Sequence, residues 1–177
     1  MKVLVVGSGA REHALAWKLA GERGVHEVLC APGNVGISAI ARCLPADSGD
    51  PAAMLALAER EDVALTVVGP ELPLSRGIVD MFVAAGRLVM GPTQAAAALE
   101  SSKAFAKAFM ERHRVPTARF VTCNTAQEAL ASIAAGHLGF PVVIKADGLA
   151  AGKGVVIAED RAAAESAVRS AMLDRRF

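Results

Sequence analysis

The sequence predicts an α/β protein: an open, mostly parallel sheet in the first half, then a smaller unit of helices around a glycine-rich β-hairpin. Two observations carry this. Up to Gly91, short apolar runs alternate with helical stretches, and the runs end in glycine or proline turns. Strand, turn, helix, strand repeated in this way gives parallel strands joined by right-handed crossovers. The second observation is the stretch Phe140–Ile157, where two apolar runs flank a loop of three glycines and a lysine.

The elements follow in order. Val3–Val6 is continuously apolar, the mark of a strand buried on both faces. Gly7-Ser8-Gly9-Ala10 turns the chain into a helix over Arg11–Ala20, with Leu15 and Leu19 one turn apart and Gly21 and Gly24 to end it. Val25–Cys30 reads as a second strand before the turn Ala31-Pro32-Gly33-Asn34. Asp50-Pro51 supplies the N-cap and first position of a helix whose apolar face holds Met54, Leu55 and Leu57. Ala64–Val68 is a strand ended by Gly69-Pro70-Glu71, and a helix through Ile78–Ala85 leads to the strand Arg87–Met90. Two helical stretches come next, Gln94–Leu99 and Lys103–Arg112. Arg119–Thr122 reads as a short strand. Thr125 caps a helix to Ala135, with Glu128 completing a capping box. The hairpin and a helix over Asp160–Leu173 close the chain. The change of rhythm places a domain boundary near Leu99–Lys103, dividing the chain into 1–100 and 101–177.

Composition excludes several classes of function. The chain is 53% hydrophobic and 21% charged, enough to bury a core. A net charge of +1 leaves no electrostatic footprint for nucleic acid or an anionic membrane, and 4% aromatic residues build no base-stacking platform. Cys30, Cys43 and Cys123 are far apart, which argues against a disulfide framework or zinc site and fits a reducing compartment. His13, His26, His113 and His137 are equally scattered, so no metal site is read from them. Met1-Lys2 runs straight into an apolar stretch too short for a signal-peptide core, and no run reaches membrane-spanning length. A cytoplasmic protein is expected.

The glycine-rich loop carries the clearest chemistry. Backbone N–H groups of such a turn can point at phosphate oxygens, and Lys145 and Lys153 would neutralise a polyphosphate. It is not the P-loop G-x-x-x-x-G-K-[ST], because three residues separate Gly148 from Gly152, Gly154 follows Lys153, and Val155–Ile157 reads as a strand rather than a helix. The loop therefore joins two antiparallel strands as a flap over nucleotide phosphates, or is a flexible hairpin with one exposed lysine. Lys145 weighs for the former, since a lysine half-buried at the end of an apolar run needs a partner.

In open α/β sheets ligands sit beyond the carboxyl ends of the strands. The turns Gly7–Glu12, Pro32–Asn34 and Gly69–Leu74 all fall there. Gly7-Ser8-Gly9 ahead of a helix start is a natural anion site with Arg11 as a charged fork; the alternative is a glycine needed only for the turn. A dinucleotide fingerprint fails twice: Glu12 stands where its third glycine belongs, and no carboxylate ends the second strand. A small phosphate-bearing ligand fits better. Glu71 could bind hydroxyls or an amine, or be a solvated loop carboxylate.

Taken together, Val5–Ala16, Ala31–Asn34, Val68–Leu74, Ser102–Phe105 and Ile144–Val155 resemble the phosphoribosylamine–glycine ligases, in that family's order and over nearly the whole chain. The resemblance implies an α/β substrate-binding domain that precedes an ATP-grasp domain, in which nucleotide is held between two subdomains. It implies ligation of glycine to 5-phosphoribosylamine through a glycyl phosphate, with ATP and Mg2+ as cofactors. By this resemblance Lys145 and Lys153 act in catalysis, while Lys103, Lys145, Gly148, Gly152, Lys153 and Gly154 bind ATP. Gly7, Gly9, Arg11, Glu12, Pro32, Gly33, Asn34, Gly69, Pro70, Glu71 and Leu74 bind the sugar substrate. For Lys103 the competing reading is a solvated lysine in a first helical turn. Members of the family are far longer than 177 residues, so the resemblance is to their N-terminal part, with the magnesium-binding acids expected outside this chain and the chain expected to be inactive alone. The competing functions are another ATP-grasp carboxylate–amine ligase and a non-catalytic nucleotide- or phosphosugar-binding module.

Overall fold

The computed structural model describes residues 1–149 and 154–174. The chain divides into two compact units, residues 1–101 and 102–177.

The first unit is built on a five-stranded, wholly parallel sheet. Its strands are β1 (Lys2–Gly7), β2 (Glu27–Pro32), β3 (Arg42–Cys43), β4 (Leu65–Val68) and β5 (Val89–Met90), in the order β3-β2-β1-β4-β5. β1 is central because it has nothing polar to expose: Val3, Leu4, Val5 and Val6 are all fully buried. Alternation sends Leu4 and Val6 into one core with Leu29, Ala31, Met54, Leu57, Ile78 and Phe82. Val5 goes to the other, with Val28, Cys30, Ile37 and Ala16. The first core is closed by α2 (Pro51–Arg60) and α4 (Ile78–Ala84), the second by α1 (Ala10–Ala20) and a single 3₁₀ turn, Ile37–Ala39. Each fully buried Leu, Ile or Phe stabilises the sheet by about 1.5–3 kcal/mol relative to exposure. The start of α2 follows the local code, since Asp50 Oδ1 accepts from the N–H groups of Ala52 and Ala53 at 2.9 and 3.2 Å.

Four departures from the expected elements have simple causes. β2 begins at Glu27 rather than Val25, because Val25 N–H closes a turn on Glu22 and His26 N–H donates to the Met1 carbonyl. β5 starts at Val89 rather than Arg87, whose guanidinium is instead donated to the carbonyls of Ala58 and Val63. A short helix α3 (Glu71–Ser75) forms where only a turn was expected. Pro73 does not break it, because first-turn N–H groups have no intrahelical partner to lose. The two-residue β3 was too short to read as a strand at all. α5 (Gln94–Ser101) completes this unit.

The second unit contains α6 (Lys103–Arg112), α7 (Ala126–Ala135), the antiparallel pair β6 (Val142–Lys145) and β7 (Val155–Ala158), and α8 (Arg161–Met172). Val142 pairs with Ala158 and Lys145 with Val155. The inner face, Val142, Ile144, Val156 and Ala158, is covered by α8, which also packs on α7. The outer face, Val143, Lys145, Val155 and Ile157, is exposed among the described residues. The expected strand at Arg119–Thr122 does not form. Its stretch is held to α6 by side chains instead: Lys107 Nζ donates to Thr117 Oγ1 at 2.6 Å and to the Ala118 carbonyl at 3.1 Å, and lies 5.3 Å from the centre of the Phe120 ring. The capping box at Thr125 forms with a shift. Thr125 Oγ1 accepts from Glu128 N–H at 3.1 Å, while the Glu128 carboxylate accepts from Asn124 N–H, one residue before the cap.

Candidate functional site

Parallel strands bring all their carboxyl ends to one rim, and in the first unit this rim gathers the turns singled out in the sequence. At its centre lies a buried carboxylate. Glu12, in the first turn of α1, is 4% exposed, and its Oε2 accepts from Gly9 N–H at 2.6 Å. The glycines around it exist to make room. A Cβ on Gly69 would stand 2.0 Å from Glu12 Oε1, and one on Gly7 would stand 2.7 Å from Glu12 Cγ and 2.9 Å from Pro70. Gly7 also has a φ of +123°, open to glycine alone at little cost. The position where a dinucleotide fold has its third glycine is thus filled by a side chain, and its neighbours have none.

Arg11 spans the same rim. Its guanidinium donates to the Gly69 carbonyl at 2.6 Å and to Glu71 Oε1 at 2.9 Å. The Glu71 hydrogen bond and charge hold Arg11 more firmly protonated than usual. Glu71 is lowered in turn, first by its own backbone N–H and then by Arg11. Asn34 ties the β2 loop to the β1 loop: Nδ2 donates to the Ser8 carbonyl at 2.7 Å, Oδ1 accepts from Ile37 N–H at 2.9 Å, and Gly33 N–H donates to the Gly7 carbonyl at 3.1 Å. Leu74 does not face the rim. It lies in the core beside Gly91, so its part is packing. The Cys30 thiol, which donates to the Gly7 carbonyl, is pushed up to about 12, chiefly by burial and then by Cys43 and Glu12.

The second unit places Lys103 and the hairpin turn together. Lys103 Nζ donates to the Gly148 carbonyl at 2.7 Å. Asp147 caps α6, accepting from the N–H groups of Lys103 and Ala104 and from Ser102 Oγ. Burial pushes the Asp147 carboxyl up, but the N–H groups of Ala104, Gly148 and Lys103 and the Ser102 hydroxyl outweigh it and hold the group below its usual value. Lys145 is exposed rather than half-buried, and among the described residues its ammonium makes no ion pair or hydrogen bond. The burial expected from its apolar neighbours is wrong because the strand alternates, and Lys145 shares the uncovered face with Val143. Gly152 and Lys153 lie outside the described residues; Gly154 is described, with its carbonyl accepting from Ala146 N–H at 2.8 Å. Asp147 and Ser102 were missed as site residues. Ser102 before a helix is a cap signal, but no spacing rule connects it to a residue so distant in the chain.

A parallel α/β domain with ligand-type loops at its rim, followed by a helix and a glycine-rich antiparallel hairpin, is the arrangement of the ATP-grasp enzymes. Residues 1–100 match the family described as phosphoribosylglycinamide synthetase, N domain, and residues 101–177 match phosphoribosylglycinamide synthetase, ATP-grasp (A) domain. The chain belongs to the phosphoribosylglycinamide synthetase family. It is 55% identical to a phosphoribosylamine–glycine ligase of Ralstonia nicotianae and 52% identical to one of Xylella fastidiosa, in each case over 100% of this chain. It spans only 42% and 41% of the length of those relatives. Among solved structures, the phosphoribosylamine–glycine ligase of Thermotoga maritima matches with a TM-score of 0.74 and 33% identity, covering 97% of this chain and 38% of that one. The biotin carboxylase domain of a Hydrogenobacter thermophilus 2-oxoglutarate carboxylase, solved with MgADP and bicarbonate, matches in fold with a TM-score of 0.74 at 19% identity, over 96% of this chain and 41% of that one.

Proposed function

We propose that the chain contributes the sugar-binding domain and a nucleotide-phosphate corner to a ligase that joins glycine to 5-phosphoribosylamine at the expense of ATP. The observation that carries this is the unbroken match of both units to one family, with its ligase relatives aligned along the whole chain. In the reaction, the glycine carboxylate attacks the γ-phosphoryl group to give glycyl phosphate and ADP. The ribosylamine nitrogen then attacks the activated carbonyl, giving glycinamide ribonucleotide and phosphate.

Phosphoryl transfer asks a protein for positioned charge rather than a covalent nucleophile. Lys145 suits that task, since it is exposed at the end of β6 with its charge unspent. Lys103 suits it too, because its present acceptor is a neutral carbonyl that a phosphate can displace. Lys153, Gly152 and Gly154 are assigned to the same phosphates, with Lys153 and Lys145 acting at the transferred group. Among the described residues, no three His, Cys, Asp or Glu side chains converge, and magnesium, which takes one or two carboxylates together with the nucleotide phosphates, is assigned to acids outside this chain.

At the sheet rim, the exposed residues Ala10 and Arg11 that begin α1 offer their N–H groups to the sugar phosphate. Glu12 already takes the Gly9 N–H, which weakens the rim for a pyrophosphate and suits a single phosphate. Glu71 is assigned to hydroxyls or the amine. Gly7, Gly9, Pro32, Gly33, Asn34, Gly69 and Pro70 shape the loops, with Glu12 and Leu74 supporting them from beneath. No helix among the described residues is long and apolar enough to cross a membrane. Three free thiols fit a cytoplasmic setting.

Separate titrations of ribose 5-phosphate and an ATP analogue test the reading, on the polypeptide as its gene encodes it. Glu71→Ala is expected to weaken the first alone. Lys145→Ala is expected to weaken the second by about tenfold, the worth of one charge-assisted hydrogen bond. Sugar-phosphate binding without nucleotide binding would replace the ligase by a binding module.

A further inference from the structure

Between α6 and the turn after β6 there is a reciprocal clasp. The turn gives an anion to the helix: Asp147 Oδ1 accepts from Lys103 N–H at 2.6 Å and Ala104 N–H at 3.3 Å, and Oδ2 accepts from Ser102 Oγ at 3.0 Å. The helix gives a cation back, as Lys103 Nζ donates to the Gly148 carbonyl at 2.7 Å. Partners 43 to 45 residues apart in the chain are joined by these four bonds.

We propose that Asp147 is a positioning residue for nucleotide phosphates, holding the Lys103 end of α6 against the strand end that carries Lys145 while leaving both ammonium charges free for the ligand. The inference rests on the nucleotide reading of this unit. Two features of the geometry support it. A helix start is ordinarily an anion site, and here Asp147 occupies it, so an incoming phosphate is left to the lysine side chains rather than to the helix backbone. Asp147 also spends its oxygens on backbone N–H groups and a hydroxyl. It is not ion-paired with Lys103 Nζ, whose only acceptor among the described residues is a neutral carbonyl. A carboxylate placed on the ammonium would quench the charge that a phosphate needs.

A double-mutant cycle tests this, read by calorimetric titration of a non-hydrolysable ATP analogue into the polypeptide as its gene encodes it. Asp147→Ala and Lys103→Met are each expected to weaken binding about tenfold, and the double variant no more than the worse single one, because the two act as one unit. Asp147→Asn keeps an acceptor for the N–H groups and is expected to stay within about threefold of wild type. Ribose 5-phosphate affinity should be unchanged in every variant, and Asp147→Ser replaces Asp147→Ala if the latter does not fold. Wild-type affinity in Asp147→Ala, additive losses in the cycle, or a full loss in Asp147→Asn would overturn the proposal. A wild-type chain that takes ribose 5-phosphate but no ATP analogue would instead sink the nucleotide reading, and the proposal with it.

Discussion

The rim of the first unit and the hairpin of the second solve opposite problems. At the rim, polar groups singled out in the sequence are largely satisfied by one another: Glu12 by Gly9, Arg11 by Gly69 and Glu71, Asn34 by Ser8 and Ile37. At the hairpin, one face is packed under α8 while the other presents Val143, Val155, Ile157 and an unpaired lysine to solvent. A self-satisfied cluster holds its shape before a ligand arrives, which lowers the ordering cost of binding. An unspent charge on a strand keeps its electrostatic capacity for the ligand. Pre-formed shape and available charge are thus separated between the two units.

The largest expected effect breaks the rim. Gly69→Ala drives a methyl group against the Glu12 carboxylate, and about 3 kcal/mol of stability should be lost in chemical denaturation, at the upper end of ordinary overpacking. Adding Glu12→Ala should restore part of it; no recovery would mean that the clash lies elsewhere. Next comes Asp147→Ala, which removes a helix cap and should cost the second unit about 1 kcal/mol in the same experiment. Acid should imitate that loss. Asp147 is lowered in the folded state, so its contribution is complete above the usual carboxylate value and disappears as pH falls through the lower folded one. Amide exchange at Lys103 and Ala104, followed down the pH scale, reads this directly. Lys145→Ala should change stability by less than about 0.5 kcal/mol, since nothing described depends on it. A larger loss would erase the contrast drawn between the two regions. Last, the Cys30 thiol, buried and pushed up to about 12, should resist alkylation at neutral pH until the chain unfolds, as mass spectrometry of the labelled protein will show.

What could be read in advance was whatever is local. Val3–Val6 announced a central strand because an unbroken apolar run has only a doubly covered place to go, and Asp50-Pro51 announced a helix start because both residues act within one turn. The rim turns were legible for the same reason. The strand expected at Arg119–Thr122 does not form because β structure depends on a neighbouring strand, and none pairs with this stretch among the described residues. Lys145 was placed too deep because composition does not say which face of a hairpin is covered. The Asp147 clasp and the accommodation of Glu12 by Gly69 were invisible for a further reason. Each joins positions more than forty residues apart, and only the fold makes them adjacent.

The nesting of Glu12 among glycines also orders the mutations this rim can accept. While a long acidic side chain occupies position 12, any side chain at 69 collides with it, and any at 7 meets both it and Pro70. Shortening position 12 first would relax position 69 and ease position 7, whose φ of +123° would still favour glycine. A lineage that alters this corner therefore has a favoured first step, and it runs through the carboxylate rather than through the turns that surround it.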